Sequence, residues 1–228
     1  MIKDKKIIIF IAVIVIIIIG SLYFISNKKY DYSNLLEYKD YDIVYDRINK
    51  SKDKVPYINI NNNLVISINN EIENMYQEYL LFSPDGFNYK YSLSKSILSI
   101  IIEAYVVHPE STHYDIIYKS YNIDLKEMKL LSNDEILERF NITEKKFEFY
   151  LYNKFLNYYN ELIKNNYLNE KEIDFNTFLE DKNIDNMLDD NSFYINNNHL
   201  ELYKYFNIYT DYNEQKFFNK DSFHFILT

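Results

Sequence analysis

The chain has no cysteine and no tryptophan, and only two glycines and three prolines among its 228 residues. Without cysteine there is no disulfide, no thiolate nucleophile, no Cys-ligated zinc and no lipobox. Stability must come from burial alone, which a domain of about 170 residues can supply. Phosphate loops, dinucleotide fingerprints and the nucleophile elbow each need closely spaced glycines. Gly20 and Gly86 lie far apart, so all three are excluded. Basic residues are also short, 25 Lys and Arg against 34 Asp and Glu, a net charge of −9. Residues 1–26 hold Lys3, Lys5 and Lys6 against Asp4, which leaves 22 basic and 33 acidic residues beyond them. A body this acidic repels phosphate backbones, so nucleic acid is not an expected partner.

What abounds is Ile, Asn, Lys, Tyr and Phe, the residues of A/T-rich codons. The 25 tyrosines and 16 phenylalanines fit either a sugar-binding platform or ordinary core packing, and packing is the simpler reading.

Ile7 to Ile25 carry no charge and are interrupted only by Gly20 and Ser21. Nineteen helical residues span roughly 28 Å, enough for a hydrocarbon core of about 30 Å. Nine isoleucines between Ile7 and Ile19 favour insertion strongly. The expected anchor side chains include Ile7, Phe10, Ile14, Ile19, Phe24 and Ile25. A cleaved signal peptide is the competing reading, but bulky Leu22, Tyr23 and Phe24 stand where small residues would be needed. Lys3, Lys5 and Lys6 precede the run and the chain turns acidic at Asp31, although Lys28 and Lys29 blur the contrast. The positive-inside rule then places the N-terminus in the cytoplasm and the rest outside the cell membrane.

The predicted organisation is a cytoplasmic tail at 1–6, a single transmembrane helix at 7–26, a stalk at 27–54 and one extracytoplasmic domain at 55–228. The expected class is α+β, an antiparallel sheet packed by helices. Within the stalk Tyr41–Tyr45 is read as a first strand, and Pro56–Ile60 as extended. Asn61–Asn63 offers an N-cap. Val65, Ile68, Ile72, Met75, Tyr76 and Tyr79 then recur at helical spacing, and Ser83-Pro84-Asp85-Gly86 ends that element. Tyr89–Leu93, Ile97–Val107 and Tyr114–Leu125 read as three antiparallel strands, with the nearly all-apolar second one central. Ser132 and Glu135 form a capping box. Thr143 caps a helix over 144–168, whose stripe Phe147, Leu151, Phe155, Tyr158 and Leu162 is expected to cover the sheet. One or two short helices follow at 174–188. A last hairpin pairs Phe193–Ile195 with Leu200–Ile208 across three asparagines.

Candidate chemistry is sparse. His108 and His113 bracket a loop with Glu110, but no helical His-Glu-x-x-His exists. Asp181, Asn183, Asp185 and Asp189 match positions 1, 3, 5 and 9 of a calcium loop. The sixth position is Asn186 rather than Gly and the twelfth is Ser192 rather than Glu, a match that an acidic, Asn-rich linker also produces. No catalytic group can be nominated, so no enzyme activity and no cofactor are expected.

Val55-Pro56-Tyr57-Ile58-Asn59-Ile60 followed by Ile68-Asn69-Asn70-Glu71-Ile72 resembles the opening of a family of bacterial extracytoplasmic domains. That family stands behind single membrane anchors. It includes the sensor part of a lysozyme-binding anti-sigma factor, and related domains precede peptidoglycan deacetylase modules. Tyr121–Lys126 with Lys129–Ser132, then Phe193–Ile195 and Leu200–Tyr203, resemble its later strands. Met128 stands where the family usually has a turn glycine, and the glycine-containing stretch after the last hairpin is missing. The resemblance implies a binding or sensing domain of the cell envelope with a basic, lysozyme-like protein ligand. A tail of six residues cannot hold a sigma factor, so any signal would pass through a membrane-protein partner. The alternatives are a structural accessory subunit of a membrane complex, or an envelope-polymer hydrolase with paired carboxylates.

Overall fold

The computed structural model describes residues 13–17, 30–47, 52–80, 86–107, 114–166, 168, 169, 171, 173–181, 192–197, 199–209 and 217–226. The chain divides into two compact units, Met1–Asn34 and Leu35–Thr228. In the first, residues 13–17 are helical and exposed. Among the described residues, no helix is long and apolar enough to cross a membrane.

The second unit is α+β. A two-stranded antiparallel ribbon, β1 (Val44–Asp46) and β2 (Pro56–Ile58), precedes helix α1 (Asn63–Leu80). Strands β3 (Phe87–Ser94), β4 (Ile97–Val107), β5 (Tyr114–Asp124) and β6 (Lys129–Leu130) follow and make an antiparallel sheet in chain order. Next come α2 (Asn133–Arg139), α3 (Glu144–Lys164) and α4 (Phe175–Asp181). A second antiparallel sheet closes the chain with β7 (Ser192–Asn196), β8 (His199–Tyr209) and β9 (Phe217–Ile226).

Strand β4 is central because it is apolar on both faces: Leu98, Ile100 and Ile102 alternate with Ile97 and Ile101, all buried. Lys95 and Ser96 turn β3 into β4, Lys95 at φ 56. The asparagine cap before α1 is Asn62, whose Oδ1 accepts the Leu64 N–H at 2.9 Å. The spaced stripe Val65, Ile68, Ile72, Tyr76 and Tyr79 is buried, with Met75 at its margin. Tyr76 and Tyr79 place their rings 5.2 and 5.5 Å from Phe87, so α1 lies over one face of the central sheet. Buried Asp53 secures this contact by accepting from the Gly86 and Phe87 amides, at 2.8 and 3.0 Å, and from the Tyr76 hydroxyl at 3.2 Å. Gly86 has φ 154, and a Cβ there would sit 3.0 Å from the Tyr105 ring.

The opposite face of the sheet carries a polar row. Ser92, Ser99 and Asn122 stand directly opposite one another on β3, β4 and β5. Strand β7 crosses them with its backbone. Asn122 donates to the Phe193 carbonyl at 2.8 Å, Ser99 donates to Asn122 at 2.6 Å and accepts from the Ile195 amide at 2.9 Å, and Ser92 donates to the Ile195 carbonyl. Small polar side chains let a strand approach the sheet closely while its peptide groups stay satisfied.

The capping box at Ser132 and Glu135 forms with both of its bonds, and Thr143 accepts from the Lys146 amide at the start of α3. The α3 stripe Phe147, Leu151, Phe155, Tyr158 and Leu162 is buried as its spacing requires, together with Tyr159. Its partner differs from expectation. The stripe packs on Phe193, Ile195, Leu200 and Leu202 of the β7–β8 hairpin and on α4, with Ile97 joining from β4. The central sheet offers it no wider seat because β7 already occupies that face. Asn197, at φ 47, turns the hairpin. Strand β9 lies beyond the last hairpin expected from the sequence and pairs with β8 across a bulge between Phe206 and Ile208.

The stalk reading also needs correction over its second half. Ile43 and Val44 are buried, β1 pairs with β2, and Leu36 bridges to Ile60. Residues 35–47 are part of the folded unit.

Candidate functional site

Folding residues 35–47 onto β2 brings tyrosines together that sequence spacing alone does not. Tyr45 and Tyr57 face each other across β1 and β2, with ring centroids 5.1 Å apart. Tyr41 continues the row 4.6 Å from Tyr45, and Tyr38 lies 6.2 Å beyond it in an edge-on arrangement. Offset and edge-on pairs at these distances are favourable aromatic contacts. Tyr38 and Tyr41 remain 47% and 54% exposed. The row is a ladder whose outer end is open to solvent.

A single buried carboxamide shapes that end. Asn59 is fully buried; its Oδ1 accepts the Tyr38 amide at 2.8 Å, and its Nδ2 faces the carbonyls of Tyr38, Tyr41 and Asp42 at 2.8, 3.2 and 3.1 Å. Its backbone amide donates to Ile43 as well. Asn69 does similar work below. Its carboxamide pairs with both the N–H and the C=O of Ile58 at 2.9 Å, taking the place of a neighbouring strand for β2.

Carboxylates line the ladder. Glu37 accepts from the Tyr57 hydroxyl at 3.0 Å, and Asp42 accepts from the Tyr91 hydroxyl at 3.2 Å. Burial first, then the Glu37 bond and charge, push the Tyr57 hydroxyl up to about 12. Hydrogen bonding to Glu37 raises Tyr38 as well. Burial, followed by the charge of Asp46, raises Tyr89 to about 12. Between residues 37 and 47 stand four acids, Glu37, Asp40, Asp42 and Asp46, against Lys39 and Arg47. Arg47 is committed: its guanidinium carbon lies 5.6 Å from the Tyr57 ring centre and Nη1 is 3.1 Å from Glu73.

Most of the residues singled out from sequence lie outside the described residues. Ile14 lies in the helical stretch 13–17, while Ile7, Phe10, Ile19, Phe24 and Ile25 lie outside the described residues. Asp181 ends α4, whereas Asn183, Asp185 and Asp189 lie outside the described residues, as do His108 and His113. Among the described residues, no three His, Asp or Glu side chains are grouped to hold a metal ion. A cavity of about 30 Å³ between Lys90, Ile101, Glu103 and Tyr203 has room for a water rather than a substrate. In the sequence the ladder shows only as an abundance of tyrosine; what assembles it is the β1–β2 register, which sets Tyr45 directly opposite Tyr57.

Compared with known proteins, the chain matches no protein-family model and no curated sequence.

Proposed function

We propose that this is a membrane-anchored, extracytoplasmic binding or sensor-like domain of the bacterial cell envelope, non-enzymatic, with the tyrosine ladder as its ligand surface. The observation that carries the reading is the carboxylate-lined row Tyr38–Tyr41–Tyr45–Tyr57, open to solvent at Tyr38 and Tyr41. Rigid aromatic side chains with a polar tip give large contact area at low entropic cost, which is why tyrosine concentrates at recognition surfaces. The apolar, uncharged run Ile7–Ile25 supports the anchor, and the basic flank Lys3, Lys5 and Lys6 supports the orientation. The net charge of −9 and the four local acids favour a basic protein ligand, which electrostatics would steer toward this face.

The test uses the full chain in detergent micelles and immobilised lysozyme as the basic probe. Binding should persist above about 0.15 M salt, where nonspecific attraction between exposed charges is largely screened. It should weaken by about tenfold in Tyr41→Ala, as for a central aromatic contact. Binding that vanishes with salt, or that ignores Tyr41→Ala, refutes the assignment of the ladder.

A second reading, an accessory subunit docked on another membrane protein, is favoured by one observation. Phe149 is 69% exposed on α3, with Tyr152 46% exposed on the same face. Loss of a co-purifying membrane protein in Phe149→Glu would support it.

A further inference from the structure

The ladder's two ends are unequal. At the inner end Tyr57 is covered by Arg47, whose guanidinium lies against the ring and is held by Glu73. At the outer end Tyr38 and Tyr41 present ring surface with no cation over either one among the described residues. Carboxylates flank both ends. Glu37 and Asp42 are exposed; Glu37 accepts from the hydroxyls of Tyr57 and Tyr38, and Asp42 from that of Tyr91. Asp42 also takes the Ile43 amide at 3.2 Å. A carboxylate offers about four lone-pair directions, so both retain acceptor capacity toward solvent.

The chain therefore displays at Tyr57 the contact that its outer end lacks: a planar cation on a phenol face with a carboxylate beside it. An anionic ligand is disfavoured by four acids within eleven residues. A neutral sugar could stack on the rings but would leave Glu37 and Asp42 without a charge partner. A lysine ammonium satisfies the charge, yet it is strongly hydrated and cannot stack. A guanidinium does both, being flat, weakly hydrated and able to donate in a fork to a carboxylate while lying on an aromatic face.

We infer that Tyr38 and Tyr41, with Glu37 and Asp42, form an arginine-selective docking site for an extended basic segment of the ligand. The inference rests on the reading of the ladder as the ligand surface and adds the chemistry of what it selects. Asn59 is the positioning residue, because it fixes the backbone of Tyr38, Tyr41 and Asp42 at once.

Two fluorescent peptides that differ only in carrying arginine or lysine are titrated against the full chain in detergent micelles at about 0.15 M salt. The arginine peptide should bind about fivefold more tightly, the size of a cation–π and stacking difference at an exposed site. Tyr41→Ala should bring the ratio to about one, and Tyr41→Phe should keep it, since the ring face rather than the hydroxyl is used. Glu37→Gln should weaken both peptides. Tyr41 is 54% exposed, so these variants do not threaten folding. Equal affinity of the two peptides overturns the inference, and so does a preference that survives in Tyr41→Ala. If lysozyme binding still depends on Tyr41 while the peptides bind alike, arginine selectivity falls and the ladder stands. If lysozyme binding ignores Tyr41, both fall. Capture of a neutral chitin oligosaccharide through Tyr41, with no arginine preference, also overturns it.

Discussion

Replacing Asn59 by alanine should uncouple the ladder from the core. The carboxamide is fully buried and satisfies the Tyr38 amide through Oδ1, while the two hydrogens of Nδ2 are shared among the carbonyls of Tyr38, Tyr41 and Asp42. The truncation strands one N–H and up to three C=O groups. Residues 37–42 are exposed, so water can reach part of what is lost. At about 1 kcal/mol for each of two to four groups, the expected loss is about 2–4 kcal/mol. Urea unfolding of the full chain in detergent measures the total, and hydrogen exchange at the Tyr38 amide reports whether the segment opens locally. Asn59→Asp sharpens the test. It keeps an acceptor for the Tyr38 amide but sets a carboxylate against three carbonyl oxygens, so it should cost at least as much as alanine. A loss below about 0.5 kcal/mol in Asn59→Ala, the range of ordinary surface changes, would refute the argument. So would an Asn59→Asp variant as stable as the parent.

Ser99→Ala removes an acceptor from the Ile195 amide and a donor to Asn122 inside the polar row, and should cost about 1–3 kcal/mol in chemical unfolding. Asp124 contributes through pH. Burial raises its carboxyl, but the Arg139 hydrogen bond at 2.6 Å and the Lys126 and Glu127 amides outweigh that and hold it below its ordinary value. A carboxyl lowered in the folded state stabilises fully above about pH 4, the ordinary Asp value, and loses that contribution as pH falls through the lowered one. Arg139→Ala should therefore flatten the acid limb of the stability profile. Tyr57 is raised to about 12, so its contribution is present below about pH 10 and lost as pH rises through about 12. In ¹³C NMR titration, Glu37→Gln should lower the Tyr57 value while leaving it above that of free tyrosine, because burial is its first cause. Met128 sits at φ 50 in the β5–β6 turn, and Met128→Gly should stabilise by about 0.5–1 kcal/mol once glycine's entropy is set against the relieved left-handed strain.

Where a residue's role is set by neighbours in sequence, it was legible. The isoleucine run of β4, the α1 and α3 stripes, the Ser132–Glu135 box and the Thr143 cap depend on spacings of two to four residues. What spacing could not say is which surfaces meet. The α3 stripe is the same whether it covers the central sheet or a hairpin. The choice falls to Ser92, Ser99 and Asn122, which look like unremarkable strand residues until pairing aligns them under β7. The segment 35–47 was misread for a related reason. Its two buried apolar residues, Ile43 and Val44, are adjacent and show no period, and a distant asparagine rather than a hydrophobic stripe fixes the loop before them.

The same fact bears on how the binding surface relates to stability. β2 is bordered by the Asn69 carboxamide, and the loop bearing Tyr38 and Tyr41 is pinned by the Asn59 carboxamide. Neither support depends on the exposed ring atoms of those tyrosines. Substitutions at Tyr38 and Tyr41 should thus alter ligand choice at nearly constant stability, whereas substitutions at Asn59 should alter both together. In a double-mutant cycle, Asn59→Ala should add to Tyr41→Ala in unfolding free energy but not in binding. Once the loop is released, removing the ring has little left to take away. Additivity in binding as well would mean that the two residues serve the ligand independently and that Asn59 does not position the ladder.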